Sequence, residues 1–132
     1  MPPIPQFSVI RIPFDFRDGD GLVKKRFVVL GYAGSAVICV KTTSKIDRFS
    51  RYDGVVYYAS GDCAVFESDT VVDPANCFAI QSSQLDSYAR SGQFENLGCL
   101  EGFREPFLKA VKENVTLEPK RRNGLLKLLQ TH

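Results

Sequence analysis

The chain has 132 residues, 44% of them hydrophobic and 24% charged. That is the length of one ordinary domain with enough apolar side chains for a core, which points away from two domains and from the disordered class, and residues 1–132 read as a single unit. The formal charge of +2 declares no polyanion partner for the molecule as a whole, but it hides three unequal parts: residues 1–52 hold nine Lys or Arg against four acids (+5), residues 53–89 no base against six acids (−6), and residues 90–132 eight bases against five acids (+3).

From Phe7 to Phe16 the side chains alternate, with Val9, Arg11, Pro13 and Asp15 on one side and Ile10, Ile12, Phe14 and Phe16 on the other. Period two predicts a strand, and Pro13, which has no N–H to give a ladder, predicts that the strand lies at an edge or ends there. Asp18-Gly19-Asp20-Gly21 predicts a turn, and the loop is expected to run through Lys24-Lys25-Arg26 before a second strand over residues 27–32. A tight turn at residues 31–35 leads to a third strand over 36–42, completing a meander. Beyond a polar, basic loop, residues 55–59 predict a fourth strand, followed by a turn at Ser60-Gly61-Asp62 and a short apolar run over 63–66. Residues 70–72 and 77–80 read as further β-structure on either side of a turn at Asp73-Pro74-Ala75-Asn76. Ser82 and Ser83 predict the N-cap of a short helix through Arg90 closed by Gly92. Pro106 suits the first turn of a second helix stopped near Asn114, and a third is expected from about Arg122. The fold class is therefore mainly β with added α: a small, twisted antiparallel sheet or barrel, with short helices that are mostly C-terminal.

The four cysteines, Cys39, Cys63, Cys77 and Cys99, form no close pair, so no Cys-x-x-Cys metal or redox motif exists. Cys39 and Cys99 sit among apolar neighbours and read as small buried hydrophobes, reduced in a cytosolic compartment. The N-terminus Met-Pro-Pro-Ile-Pro has no secretory pattern, and no run approaches the roughly 18 apolar residues of a membrane helix. The sole histidine is His132, which argues against Ser-His or Cys-His nucleophiles and His-based metal sites. No phosphate-binding Gly-rich loop occurs. The Asp15, Asp18, Asp20 cluster fits turn chemistry better than a calcium loop, whose first and last positions would fall on Phe16 and Phe27. What remains is polar and basic: Lys24-Lys25-Arg26 at the entrance to the second strand, and Lys41-Thr42-Thr43-Ser44-Lys45 at the exit from the third. Antiparallel neighbours joined by a short turn bring these two segments to one rim, which offers a planar guanidinium fork, ammonium groups and hydroxyls to a phosphate. The alternative is a solvated sheet edge whose lysines discourage edge-to-edge pairing.

Phe14-Asp15-Phe16-Arg17-Asp18-Gly19, then Lys24-Lys25-Arg26 running into Phe27-Val28-Val29-Leu30, then Val37-Ile38-Cys39-Val40 followed by Thr43-Ser44, resembles the PemK/MazF-like toxins of type II toxin-antitoxin systems. The match is strongest over residues 7–48 and looser over 70–85. Phe27 stands where that family usually has a proline, and the Gly-Asp usual ahead of its first strand is missing. The resemblance implies an SH3-like barrel and an endoribonuclease, or mRNA interferase, that cleaves single-stranded RNA without metal or cofactor, the ribose 2′-hydroxyl attacking the adjacent phosphate. It implies catalytic roles for Arg26 and Thr43 and substrate binding by Lys24, Lys25, Ser44, Lys45 and Arg48. It also implies a cytoplasmic homodimer whose basic groove takes an acidic antitoxin segment. The competing expectations are a non-catalytic barrel that binds protein or nucleic acid, including the gyrase-inhibiting toxins of the same fold, whose C-terminal tryptophan ending Leu129-Gln130-Thr131-His132 does not match.

Overall fold

A computed structural model describes residues 3–16, 21–45 and 53–130. Six strands and three helices follow in the order β1 (Ser8–Phe16), β2 (Gly21–Ala33), β3 (Ala36–Thr43), β4 (Val56–Tyr58), β5 (Thr70–Gln81), α1 (Ser82–Arg90), β6 (Glu95–Cys99), α2 (Arg104–Glu113) and α3 (Pro119–Gln130). Every pairing is antiparallel, in the spatial order β4-β5-β3-β2-β1-β6, and the sheet curls into a half-barrel. The expected mainly β architecture with mostly C-terminal helices is the one the chain adopts, with an open curl in place of a closed barrel.

Alternation along β1 to β3 gives the sheet two apolar faces. Val9, Val28, Leu30 and Val40 point to one side and pack with Phe103, Phe107 and Val111 of the α2 region and with Leu125 and Leu129 of α3. Ile10, Ile12, Phe27, Val29, Val37 and Cys39 point to the other, under Leu85 of α1 and Ile4. At roughly 2 kcal/mol for each fully buried large aliphatic or aromatic side chain, these two layers supply the main force holding the sheet between its helices. Pro13 behaves as its missing N–H requires: β6 covers β1 only from Ser8 to Arg11, so Pro13 is paired on the β2 side alone, opposite Lys24.

Several boundaries differ from the sequence reading, each for a local reason. β2 starts at Gly21, so Lys24, Lys25 and Arg26 are strand residues opposite Pro13, Ile12 and Arg11 and not part of a loop. β5 is one strand, not two flanking a turn. The ladder with β3 jumps from Val40↔Cys77 to Thr42↔Val72, and the Asp73-Pro74-Ala75-Asn76 stretch is a bulge in which Asp73 Oδ1 accepts the Ala75 N–H at 3.0 Å. The run over 63–66 is turns, and β6 lies in a stretch without alternation. α1 is capped at Gln81 with no side-chain bond, the Ser82 N–H going instead to the Ser35 carbonyl at 2.9 Å, and α3 begins three residues before Arg122. Cys99 is exposed, whereas Cys39 is buried. Burial first, and the neighbouring Cys77 second, push the Cys39 thiol up to about 12, so it stays protonated and inert. No helix among the described residues is long and apolar enough to cross a membrane.

The C-terminal helices are tied down by two arginines. Arg122 donates to the carbonyls of Val111, Asn114 and Leu117 at 3.0, 2.5 and 3.0 Å, satisfying the end of α2. Arg104 bonds the Leu129 carbonyl near the end of α3 and Oε1 of Gln6.

Candidate functional site

The meander contains a fork. From Ala33↔Ala36 to Phe27↔Lys41, β2 and β3 are paired. Beyond that point β2 continues against β1 alone, while Thr42 and Thr43 of β3 continue against Val72 and Val71 of β5. Where the strands part, a cleft of about 470 Å³ opens. Its walls are Val23 to Arg26 on β2, Lys41 to Lys45 on and after β3, Phe66, Glu67 and Ser68 just before β5, and Thr70 at its start. The apex is closed by Thr42, 8% exposed, whose hydroxyl donates to the Arg26 carbonyl at 3.2 Å and so satisfies a backbone group that lost its ladder partner.

The structure thus brings Lys24, Lys25, Arg26, Thr43, Ser44 and Lys45 to one cleft. Arg48 falls outside the described residues. The six are not equivalent. Register sets Arg26 opposite Arg11 and Lys24 opposite Pro13, on the face of Val9 and Val28, whereas Lys25 lies opposite Ile12 on the face of Ile10 and Phe27. Lys24 bonds Glu95 Oε1 at 3.2 Å, and Arg11 reaches the same oxygen at 3.4 Å. Lys41 places its ammonium 5.3 Å from the centre of the Phe14 ring. The Thr43 hydroxyl oxygen accepts the Lys45 N–H at 3.1 Å, which bends the chain as it leaves β3 and leaves the Thr43 O–H as a donor.

Arg26 is the most constrained of these side chains. It is 26% exposed, and one terminal nitrogen bonds Glu67 Oε1 at 3.2 Å. Its Nε is buried with no hydrogen-bond partner among the described residues. An N–H of a permanently charged group without an acceptor costs free energy, about 1–3 kcal/mol for a typical buried donor. The residue missing from the sequence reading is Glu67. It belongs to the acidic middle of the chain, and the fold carries that segment against the basic first third at this point. Among the described residues that line the cleft there are five cations (Lys24, Lys25, Arg26, Lys41, Lys45) and one carboxylate, a strongly basic lining despite the +2 of the whole chain.

Glu95 provides a check on this electrostatic arrangement. The hydrogen bond from Lys24 foremost, with the charges of Lys24 and Arg11, holds its carboxyl below the usual glutamate range. A carboxyl depressed in the folded state adds stability above its unfolded pKa and loses it as pH falls through the folded value. In a side-chain NMR titration the Glu95 midpoint is expected below the ordinary value, and Lys24→Met should move it up. A midpoint indifferent to Lys24 would contradict the assigned pair.

No protein-family model matches the chain, and no curated protein matches it in sequence. The chemistry of the cleft is therefore the guide to its use.

Proposed function

We propose that the chain is a toxin-like endoribonuclease that cleaves single-stranded RNA in the cleft at the β2–β3 fork. The observation that carries this is the partly exposed Arg26 guanidinium among four ammonium groups and a row of hydroxyls in one cleft. This is the donor set that a phosphodiester needs and that few other ligands would use in full. The resemblance to PemK/MazF-like toxins supports the same chemistry.

RNA brings its own nucleophile in the 2′-hydroxyl, so the protein's task is to hold the strand, stabilise charge and move protons. Arg26 braces the phosphate as negative charge builds on its oxygens. The Thr43 O–H donates to a phosphate oxygen. Lys25 on β2 and Ser44 and Lys45 on the β3 side follow the backbone, and Lys24, anchored by Glu95, adds to the field. In this reading the protein acts in the cytoplasm as a homodimer, and an acidic antitoxin segment competes with RNA for the same cations.

The test is incubation of purified protein with single-stranded RNA of mixed sequence in excess EDTA. Fragments with 5′-hydroxyl and cyclic phosphate ends are expected. RNA that stays intact across sequences but is retained by the protein would leave a non-catalytic binding module.

A further inference from the structure

Building on the proposed RNA cleavage, we infer that Glu67 is the proton acceptor that activates the 2′-hydroxyl. Of the described residues lining the cleft, five are Lys or Arg, which are donors, and the hydroxyls of Thr and Ser are poor bases. Glu67 is the one carboxylate among these described residues, and its side chain is 84% exposed, open to a bound strand. It lies 3.2 Å from the Arg26 nitrogen, so a phosphate held by Arg26 has a basic oxygen beside it. A ribose hydroxyl adjacent to that phosphate comes within reach of the carboxylate by rotation of an exposed, three-torsion side chain.

The step balances without an added reagent. The 2′-O–H proton passes to the Glu67 carboxylate as the 2′-oxygen bonds to phosphorus. The bond from phosphorus to the 5′-oxygen breaks, leaving a cyclic phosphate. The departing 5′-oxygen takes a proton from water, and the hydroxide so formed recovers the proton from Glu67. Arg26 then has two duties, neutralising the phosphate and holding the base at its side. Among the described residues, the charged groups that line the cleft with Glu67 are Lys24, Lys25 and Arg26 of β2 and Lys41 and Lys45 of the β3 side, all cations.

Glu67→Gln separates this role from a merely electrostatic one, because the two move the readouts in opposite directions. Removing a negative charge from a cleft that binds a polyanion raises RNA affinity, and if charge were all that Glu67 contributed, cleavage would hold or improve. If Glu67 is the base, kcat falls about 100-fold or more while affinity holds or rises. The wild-type rate should climb with pH on the acid side with unit slope, and Glu67→Gln should lack that limb. Glu67→Asp, which keeps a carboxylate, should keep the limb and part of the rate. Wild-type protein that cuts RNA together with a Glu67→Gln variant of unchanged rate and pH profile would overturn the assignment while sparing the ribonuclease reading. Wild-type protein that cuts no RNA would overturn both.

Discussion

Arg26→Ala is expected to lower RNA cleavage by about 100- to 1,000-fold, the scale seen when one preorganised charge-stabilising donor is removed from a transition state, and to leave the protein folded. Both halves follow from the position of the side chain. Arg26 stands directly across the ladder from Arg11, and like charges opposed on adjacent strands repel. Its ion pair is with a carboxylate that is 84% exposed, and such surface pairs add little stability. Its Nε is a buried donor without an acceptor among the described residues, which favours removal. The melting temperature should therefore hold or rise as activity disappears. Arg26→Lys is not a rescue, since an ammonium cannot offer the two parallel N–H bonds of the guanidinium fork. Cleavage at the wild-type rate by a folded Arg26→Ala protein would remove Arg26 from the reaction.

The largest effect on stability is expected at Asn114, the C-cap of α2 and 5% exposed. Its Nδ2 donates to the Gly54 carbonyl at 2.8 Å and to Asp73 Oδ1 at 2.9 Å. Its Oδ1 accepts from the Thr116 N–H at 3.1 Å, the Thr116 hydroxyl at 2.7 Å and the Leu117 N–H at 3.0 Å. One amide thus joins the segment before β4, the bulge of β5 and the connection from α2 to α3. Gly54 has φ +74, and a Cβ there would lie 2.6 Å from the Asn114 Cα, so the backbones meet at a distance only glycine allows. Asn114→Ala leaves the Gly54 carbonyl and the Leu117 N–H without these partners. At about 1–3 kcal/mol for each buried group stranded in this way, the expected loss is about 3–4 kcal/mol. Urea unfolding should show a lower midpoint with an unchanged slope. A loss under about 1 kcal/mol would mean that water replaces the amide at no great cost.

How much of this could be read beforehand depended on how local the signals were. β1 to β3 and the helices announced themselves through alternation, Gly34 with φ +60 in the second turn, and Asn114 at a helix end. Lys24, Lys25, Arg26, Thr43, Ser44 and Lys45 converge because two neighbouring antiparallel strands part at one place, and neighbouring strands are a short-range inference. Asp73-Pro74 carries a turn signature, and only the jump in pairing with β3 shows that the Asp73 side chain closes a bulge inside a single strand, β5. β6 has no sequence pattern of its own; Glu95 to Cys99 becomes a strand by pairing with β1, more than eighty residues away. Glu67 escaped for the same reason. Its place beside Arg26 depends on β5 pairing with the end of β3, a contact that composition does not encode. The segment charges of +5 and −6 did pose the question of whether the basic rim stays clear of the acidic middle. Among the described residues that line the cleft, Glu67 is the one carboxylate of that middle to enter.

The central claim is that the fork between β2 and β3 cleaves RNA using the strand's own 2′-hydroxyl. The most direct test is to map the cut in a single-stranded RNA and then present the same strand with 2′-deoxyribose at that one position. Retained binding with no scission at that position, beside full scission of the unmodified strand, is the predicted result. Equal cutting of both strands would contradict it, because the nucleophile would then not be the 2′-hydroxyl that the cleft is argued to activate.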